Sequence, residues 1–266
     1  MLPPFYALID WSRPWYGSIH AAALNIINAP DWRTALNAQA VMKRLRNHRG
    51  LPLSFVPQES LPAGAAYEAF ISAAACVPTR ENLHDFFNAL VWLSFPLIKR
   101  QLNALQAAQI AQAGVGKARG AARDGATIFD ENAALLVLRD APPGRALLDA
   151  LRSHRWCDAL VGQRADFGSE AEVWLFGHAL MEKLVTPYKA ITAHTRVVLV
   201  DDAYFALDQA HRRIWIDFQV AQELARQGLT TADFTPLPVL GVPGWWPAQD
   251  AAFYADASVF RPKRRR

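Results

Sequence analysis

Residues 77–103, VPTRENLHDFFNALVWLSFPLIKRQLN, hold the densest run of side chains able to do chemistry. His84, Asp85 and Asn88 lie within one helical turn of one another among bulky apolar residues. At 100° per residue, Leu83, Phe87, Leu90 and Val91 form an apolar stripe, and Glu81, His84, Asp85, Asn88 and Trp92 occupy the other side. A histidine titrates near neutrality, so His84 can act as a general base toward water, with Asp85 and Asn88 beside it. Amide and carboxylate oxygens suit a hard cation such as Mg²⁺ or Mn²⁺, which makes Asn88 and Asp130 candidate metal ligands. An ion held there would offset charge on a phosphate, so the chemistry expected is metal-dependent hydrolysis of a phosphoester. Arg80, Asn82, Trp92, Lys99, Asn103, Asp130, Glu131, His178 and Glu182 are the supporting candidates.

The same residues fit a non-catalytic binding or interaction protein in which the His84/Asp85/Asn88 face is an internal hydrogen-bond network. Glu81 and Asp85 would favour the dipole at a helix start, and Asn82 would answer Thr79 in a capping box. Asp130, Glu131 and Asn132 also read as ordinary turn residues. His178 and Glu182, four apart in FGHALMEKL, read as a helix-surface pair without the second histidine of a zincin helix. His194 at a strand start could join His178 or be structural, and Asp201-Asp202 are expected to cap the next helix. No G-x-S-x-G, G-x-G-x-x-G or P-loop occurs, which excludes the usual serine-hydrolase and nucleotide signatures.

The elements that must position these groups are mostly helical. Helices are expected over 17–27 and 31–47, the second capped by Asp31 and closed by Gly50. Thr79 would start a helix running to Leu93, and Pro96 another ending near Gly114. LPLSFVPQ and AAYEAFIS read as short strands, and GVGKARGAARDG as a mobile basic loop. A hairpin is expected near 125–138 with Asp130-Glu131-Asn132 at its turn. Helices at 144–153, 170–185 and 203–227 follow, with a strand at TRVVLVD. The Pro-rich 236–247 must be extended, either packed on its own chain or offered to a partner domain. The class is α+β, mainly α-helical: one domain over 1–262, with a subdomain boundary near 141–144 and a basic tail at 263–266.

Composition bounds the function. The 266 residues are 52% apolar and 20% charged, with nine Trp, which describes a globular chain with a large aromatic core. The net charge of +4 suggests a nucleic-acid partner, but 28 Lys and Arg face 24 Asp and Glu, and four of the 28 form the tail 263–266. The body is neutral, and contact with a polyanion would fall to the tail. Cys76 and Cys157 have no metal-ligand spacing, and Cys76 reads as a buried small hydrophobe. The first 17 residues lack a signal-peptide pattern and no apolar run reaches the roughly 18–20 residues of a membrane span, so a cytoplasmic, non-membrane protein is expected.

Several motifs in fixed order, YEAFI, VPTRENLHDFFNALVWLSFP followed by Lys99 and LNALQA, FDEN, FGHALMEKL, PLPVLGVPGWW and the closing FY…VFRP, resemble the bacterial domain-of-unknown-function family 3025. The resemblance spans nearly the whole chain and implies a shared fold without a mechanism. NALVWLSFPLIKRQLN is distantly similar to the helix end of His-Me-finger (HNH-type) nucleases. That likeness implies a histidine at a strand end that activates water and a metal-binding side chain on the next helix.

Overall fold

A computed structural model describes residues 4–113 and 121–263. Segment 114–120 of the expected basic loop and Arg264–Arg266 of the tail lie outside the described residues, and residues 121–125 of that loop are helical instead.

Helices α1 (His20–Ile27) and α2 (Trp32–Met42) open the chain, and Asp31 caps α2 by accepting from the amides of Arg33 and Thr34. Strand β1 (Ser54–Val56), helix α3 (Tyr67–Ala74) and strand β2 (Cys76–Pro78) follow, with β1 and β2 paired in parallel. Helix α4 (Leu83–Ser94) then carries the polar stretch, and α5 (Pro96–Ala113) continues after one residue. Helix α6 (Ala121–Asn132) leads directly into β3 (Ala133–Arg139), and α7 (Pro142–Arg152) into β4 (Ala171–Leu175). Helix α8 (His178–Lys183), strand β5 (Thr192–Val200), helices α9 (Asp202–Phe205) and α10 (Gln209–Gln227), strand β6 (Thr235–Pro238) and helix α11 (Ala251–Tyr254) complete the order.

The larger sheet runs β4-β3-β5-β6, with β3 antiparallel to β4 and parallel to β5, and β6 antiparallel to β5. Its register sets Leu136 opposite Val173 and Val197. The first six residues of β3, AALLVL, are all buried, as a central strand covered on both faces requires. Leu135 and Val137 face the main core with α4, α5, α8 and α10, and Leu136 and Leu138 face a second cluster with Leu147, Leu151 and Trp156.

Helix α4 is the axis of the main core, since every residue from Asp85 to Ser94 is buried. Its apolar stripe packs as the periodicity requires, and on its polar side Asp85, Asn88 and Trp92 are buried among other protein groups while His84 is partly exposed. Asn82, not Thr79, is the cap: its side chain accepts from the amide of Asp85, while the Thr79 hydroxyl donates to the Val77 carbonyl. Helix α5 begins at Pro96, and Asp217, on the buried side of α10, accepts from the amides of Leu97 and Ile98 at 3.0 and 2.9 Å.

Three local expectations are corrected. The hairpin near 125–138 is instead the end of α6 running into β3, because β3 finds its partners far along the chain in β4 and β5. Asp130, Glu131 and Asn132 therefore sit on the last turn of a helix. AAYEAFIS folds as α3, burying Ile71, and the strand beside it is β2. Residues 171–175 of the expected 170–185 helix are strand β4, and only His178–Lys183 are helical. Cys76 is half-buried and Cys157 exposed.

One glycine has a direct bearing on the site. A Cβ on Gly177, between β4 and α8, would lie 2.5 Å from the amide nitrogens of Asn132 and Ala133 and 2.6 Å from the Glu131 carbonyl. Only glycine lets the start of α8 press against the junction of α6 and β3.

Candidate metal centre

That close approach sets three side chains from three helices together. His84 comes from the first turn of α4, Glu131 from the last turn of α6, and His178 from the first position of α8. Nε2 of His84 lies 3.1 Å from Nε2 of His178. Oε2 of Glu131 lies 3.4 Å from the His178 nitrogen and 4.0 Å from the His84 nitrogen. Around an ion with metal–ligand bonds of about 2.0–2.1 Å, tetrahedral ligand atoms stand about 3.3 Å apart. The three atoms thus outline one face of such a tetrahedron, within a few tenths of an ångström on two edges.

Hydrogen bonding orients His84, whereas Nδ1 of His178 is buried with no hydrogen-bond partner among the described residues. Nδ1 of His84 lies 3.0 Å from Oε2 of Glu182, one turn beyond His178 on α8. If Nδ1 gives its proton to that carboxylate, Nε2 is left with a lone pair facing the cluster. His178 is only 3% exposed, and burial first, then the charges of Lys99 and His84, outweigh Asp130 and push its pKa down to about 4. A neutral His178 at physiological pH is a competent ligand. Glu131 is pushed the other way, above the usual carboxylate range, by burial and then by the charge of Asp130.

A second layer lies behind the cluster. The Lys99 ammonium, on a residue 3% exposed, donates to Oδ1 of Asp130 at 2.5 Å and to Oδ1 of Asn88 at 2.8 Å, and stands 5.3 Å from the centre of the Trp92 ring. Burial works to raise Asp130, but Lys99 and then His178 hold it below the usual range. Asn88 donates to the Tyr67 hydroxyl at 3.0 Å, and Asn103 donates to the Glu68 carboxylate at 2.7 Å. Arg80 clamps Asp85 with its backbone amide and two guanidinium nitrogens at 2.7–3.0 Å.

A cavity of about 460 Å³ opens over this assembly, lined by Glu68, Arg80, His84, Asp130, Glu131 and His178 among others. His84, Asp85, Asn88, Arg80, Asp130, Glu131 and His178, all singled out by type and spacing, line it together. Glu182 and Lys99 reach the same groups from beneath, and Trp92 and Asn103 support them. Asn82 serves as the helix cap. Asn88 and Asp130, expected as ligands, each have Oδ1 engaged by Lys99, and the ligand-type atoms that converge belong to His84, Glu131 and His178. His194 stands apart, bonded to Asn132.

Sequence reasoning misses Tyr67 and Glu68, which lie on α3 and not on the expected strand. The signal was present in the helix-forming Ala and Glu content of AAYEAFIS. It also misses that Glu182 partners His84 across two helices and not His178 along one.

The fold and site define a mainly helical α+β protein with a His–Glu–His group able to hold a metal ion. The chain belongs to the family described as "Protein of unknown function (DUF3025)", whose model matches residues 53–264. No curated protein and no solved structure matches it. The distant likeness to His-Me-finger nucleases finds no support, and His84 stands on a helix, not at a strand end. Among the described residues no helix is long and apolar enough to cross a membrane.

Proposed function

We propose that the chain is a metal-dependent hydrolase, with His84, His178 and Glu131 holding one divalent transition-metal ion. The observation that carries this reading is the convergence of two imidazole nitrogens and a carboxylate oxygen to 3.1–4.0 Å at the floor of an open cavity. Two imidazoles and one carboxylate are the donor set of hydrolytic zinc sites, and nitrogen donors disfavour Mg²⁺. Three protein ligands leave a fourth position on the cavity side for water, whose pKa the ion would bring to about 7. His84 is then a ligand, oriented by Glu182, and the general base is to be sought elsewhere in the cavity. Asn88 and Asp130 hold the Lys99 ammonium beneath the site.

The mutual hydrogen bonding of Arg80 with Asp85, and of Lys99 with Asn88 and Asp130, favours the structural-network reading for those residues. It does not extend to the His–Glu–His group, where two ring nitrogens and a carboxylate oxygen crowd together with at most one proton between the rings.

Calorimetric titration of chelator-treated protein with Zn²⁺ tests the reading. One ion per chain is expected, with affinity at least about 100-fold weaker in His84→Ala and His178→Ala variants whose circular dichroism is unchanged. Absence of ion uptake, or uptake indifferent to both substitutions, would overturn it.

A further inference from the structure

The cavity also carries information about what the ion would act on. Five carboxylates, Glu68, Asp85, Asp130, Glu131 and Glu182, line it or touch its histidines. Only two permanent cations accompany them among the described residues, and each is paired with a carboxylate. The Arg80 guanidinium is held by both oxygens of Asp85, and the Lys99 ammonium is buried against Asp130 and Asn88. One divalent ion would still leave the site short of neutrality. A phosphate group entering there would meet the ion but, among the described residues, no Lys or Arg without a carboxylate partner, and would stand among carboxylates that repel it. Sites for phosphoryl transfer place Arg, Lys or further metal ions on the non-bridging oxygens.

Glu68 is the carboxylate in this cavity not occupied by a cation or by the histidine cluster. It comes from α3, and among the described residues its side-chain hydrogen bond is to the neutral amide of Asn103. Burial raises its carboxyl above the usual range, with Lys99 opposing and Asp130 adding. Such a group exchanges protons more readily near neutral pH than an exposed glutamate does.

We propose that the site hydrolyses an uncharged acyl compound, an amide or ester, and that Glu68 is the residue that moves the proton. The inference rests on the metal-centre reading above. Water adds its oxygen to the carbonyl carbon and gives one proton to the Glu68 carboxylate. The carbon–nitrogen or carbon–oxygen bond then breaks, and Glu68 passes that proton to the departing amine or alkoxide. The products are a carboxylic acid and an amine or alcohol, with no oxidant or further reactant.

Acetohydroxamic acid mimics this chemistry, being an uncharged acyl compound that chelates a metal ion and gives up a proton as it does so. The experiment uses full-length protein loaded with Co²⁺, whose visible bands report the ligand sphere. Acetohydroxamate is expected to perturb the bands at a concentration at least about tenfold below that needed for inorganic phosphate. Glu68→Gln is expected to weaken the hydroxamate effect by about tenfold, the loss of one charge-assisted hydrogen bond, while the bands without ligand stay as in wild type. Phosphate binding as tightly as hydroxamate, or a Glu68→Gln variant indifferent to the change, would overturn the inference and leave the metal centre standing. Absence of cobalt bands in wild type would overturn both. Should Glu68→Gln fail to fold, the wild-type comparison of the two ligands decides alone.

Discussion

Lys99 shows how much of this site is held from below. Its ammonium has left water entirely and is answered by one carboxylate, one amide oxygen and the face of an indole. A buried pair of this kind adds little relative to an apolar replacement of both partners, but removing one partner strands the other. Lys99→Met would leave Asp130, 7% exposed, without the cation that holds it ionised, so that it must stay charged and unpaired or take up a proton. Urea denaturation should show a loss of about 3–5 kcal/mol, and adding Asp130→Asn should recover part of it. A loss below about 1 kcal/mol would mean the ammonium is not bound as described. Lysine at this position was legible in the sequence as part of a polar stripe on α5, one helix along from Asn88. Its partner Asp130 was legible only as a candidate carboxylate. Nothing in the spacing says that an aspartate 31 residues on reaches the same point, because that distance is set by tertiary packing.

At the scale of elements, helix periods were legible and strand partners were not. The α4 stripe, the break at Pro96 and the Asp31 cap follow from local chemistry, and each is found where expected. The false hairpin and the false strand at AAYEAFIS arose because short apolar runs do not distinguish helix from strand. What stitches α4–α5 to the rest is non-local too: Asp217 of α10 caps α5 from across the core. Burial raises Asp217 to about 7, against the pull of the Ile98 and Leu97 amides and of Arg213 on its own helix and Arg100 on α5. The folded state therefore binds a proton more tightly than the unfolded chain between about pH 4 and pH 7. Stability from this group is fully present below the unfolded pKa of 3.8 and falls as pH rises toward 7. The contribution is on the order of 1–4 kcal/mol. In metal-free protein, Asp217→Asn should flatten that part of the stability–pH curve. A variant with the wild-type slope from pH 4 to pH 7 would exclude Asp217 as its source.

Across the whole molecule, the proposed ion would join three helices that the chain order keeps far apart, since His84 and His178 are separated by 94 residues and lie on α4 and α8. No ligand pair is supplied by a single local motif, so the site exists only in the folded chain. Ligands so dispersed bind the ion weakly in the unfolded state, and binding free energy then becomes folding free energy. At an ion concentration 100 times the dissociation constant the native state gains about 2.7 kcal/mol. For a chain of this size that corresponds to a rise of roughly 5–10 °C in melting temperature. Zn²⁺ should produce this rise and a chelator should reverse it, whereas Mg²⁺, poorly matched to two imidazoles, should not. His178→Ala should melt independently of Zn²⁺, because the α6–α8 side of the cluster would retain only Glu131. A zinc-dependent rise that survives in His178→Ala would place the stabilising ion elsewhere. A rise with Mg²⁺ equal to that with Zn²⁺ would point to an oxygen-rich site, and return the carboxylates around Asp130 to the role of ligands.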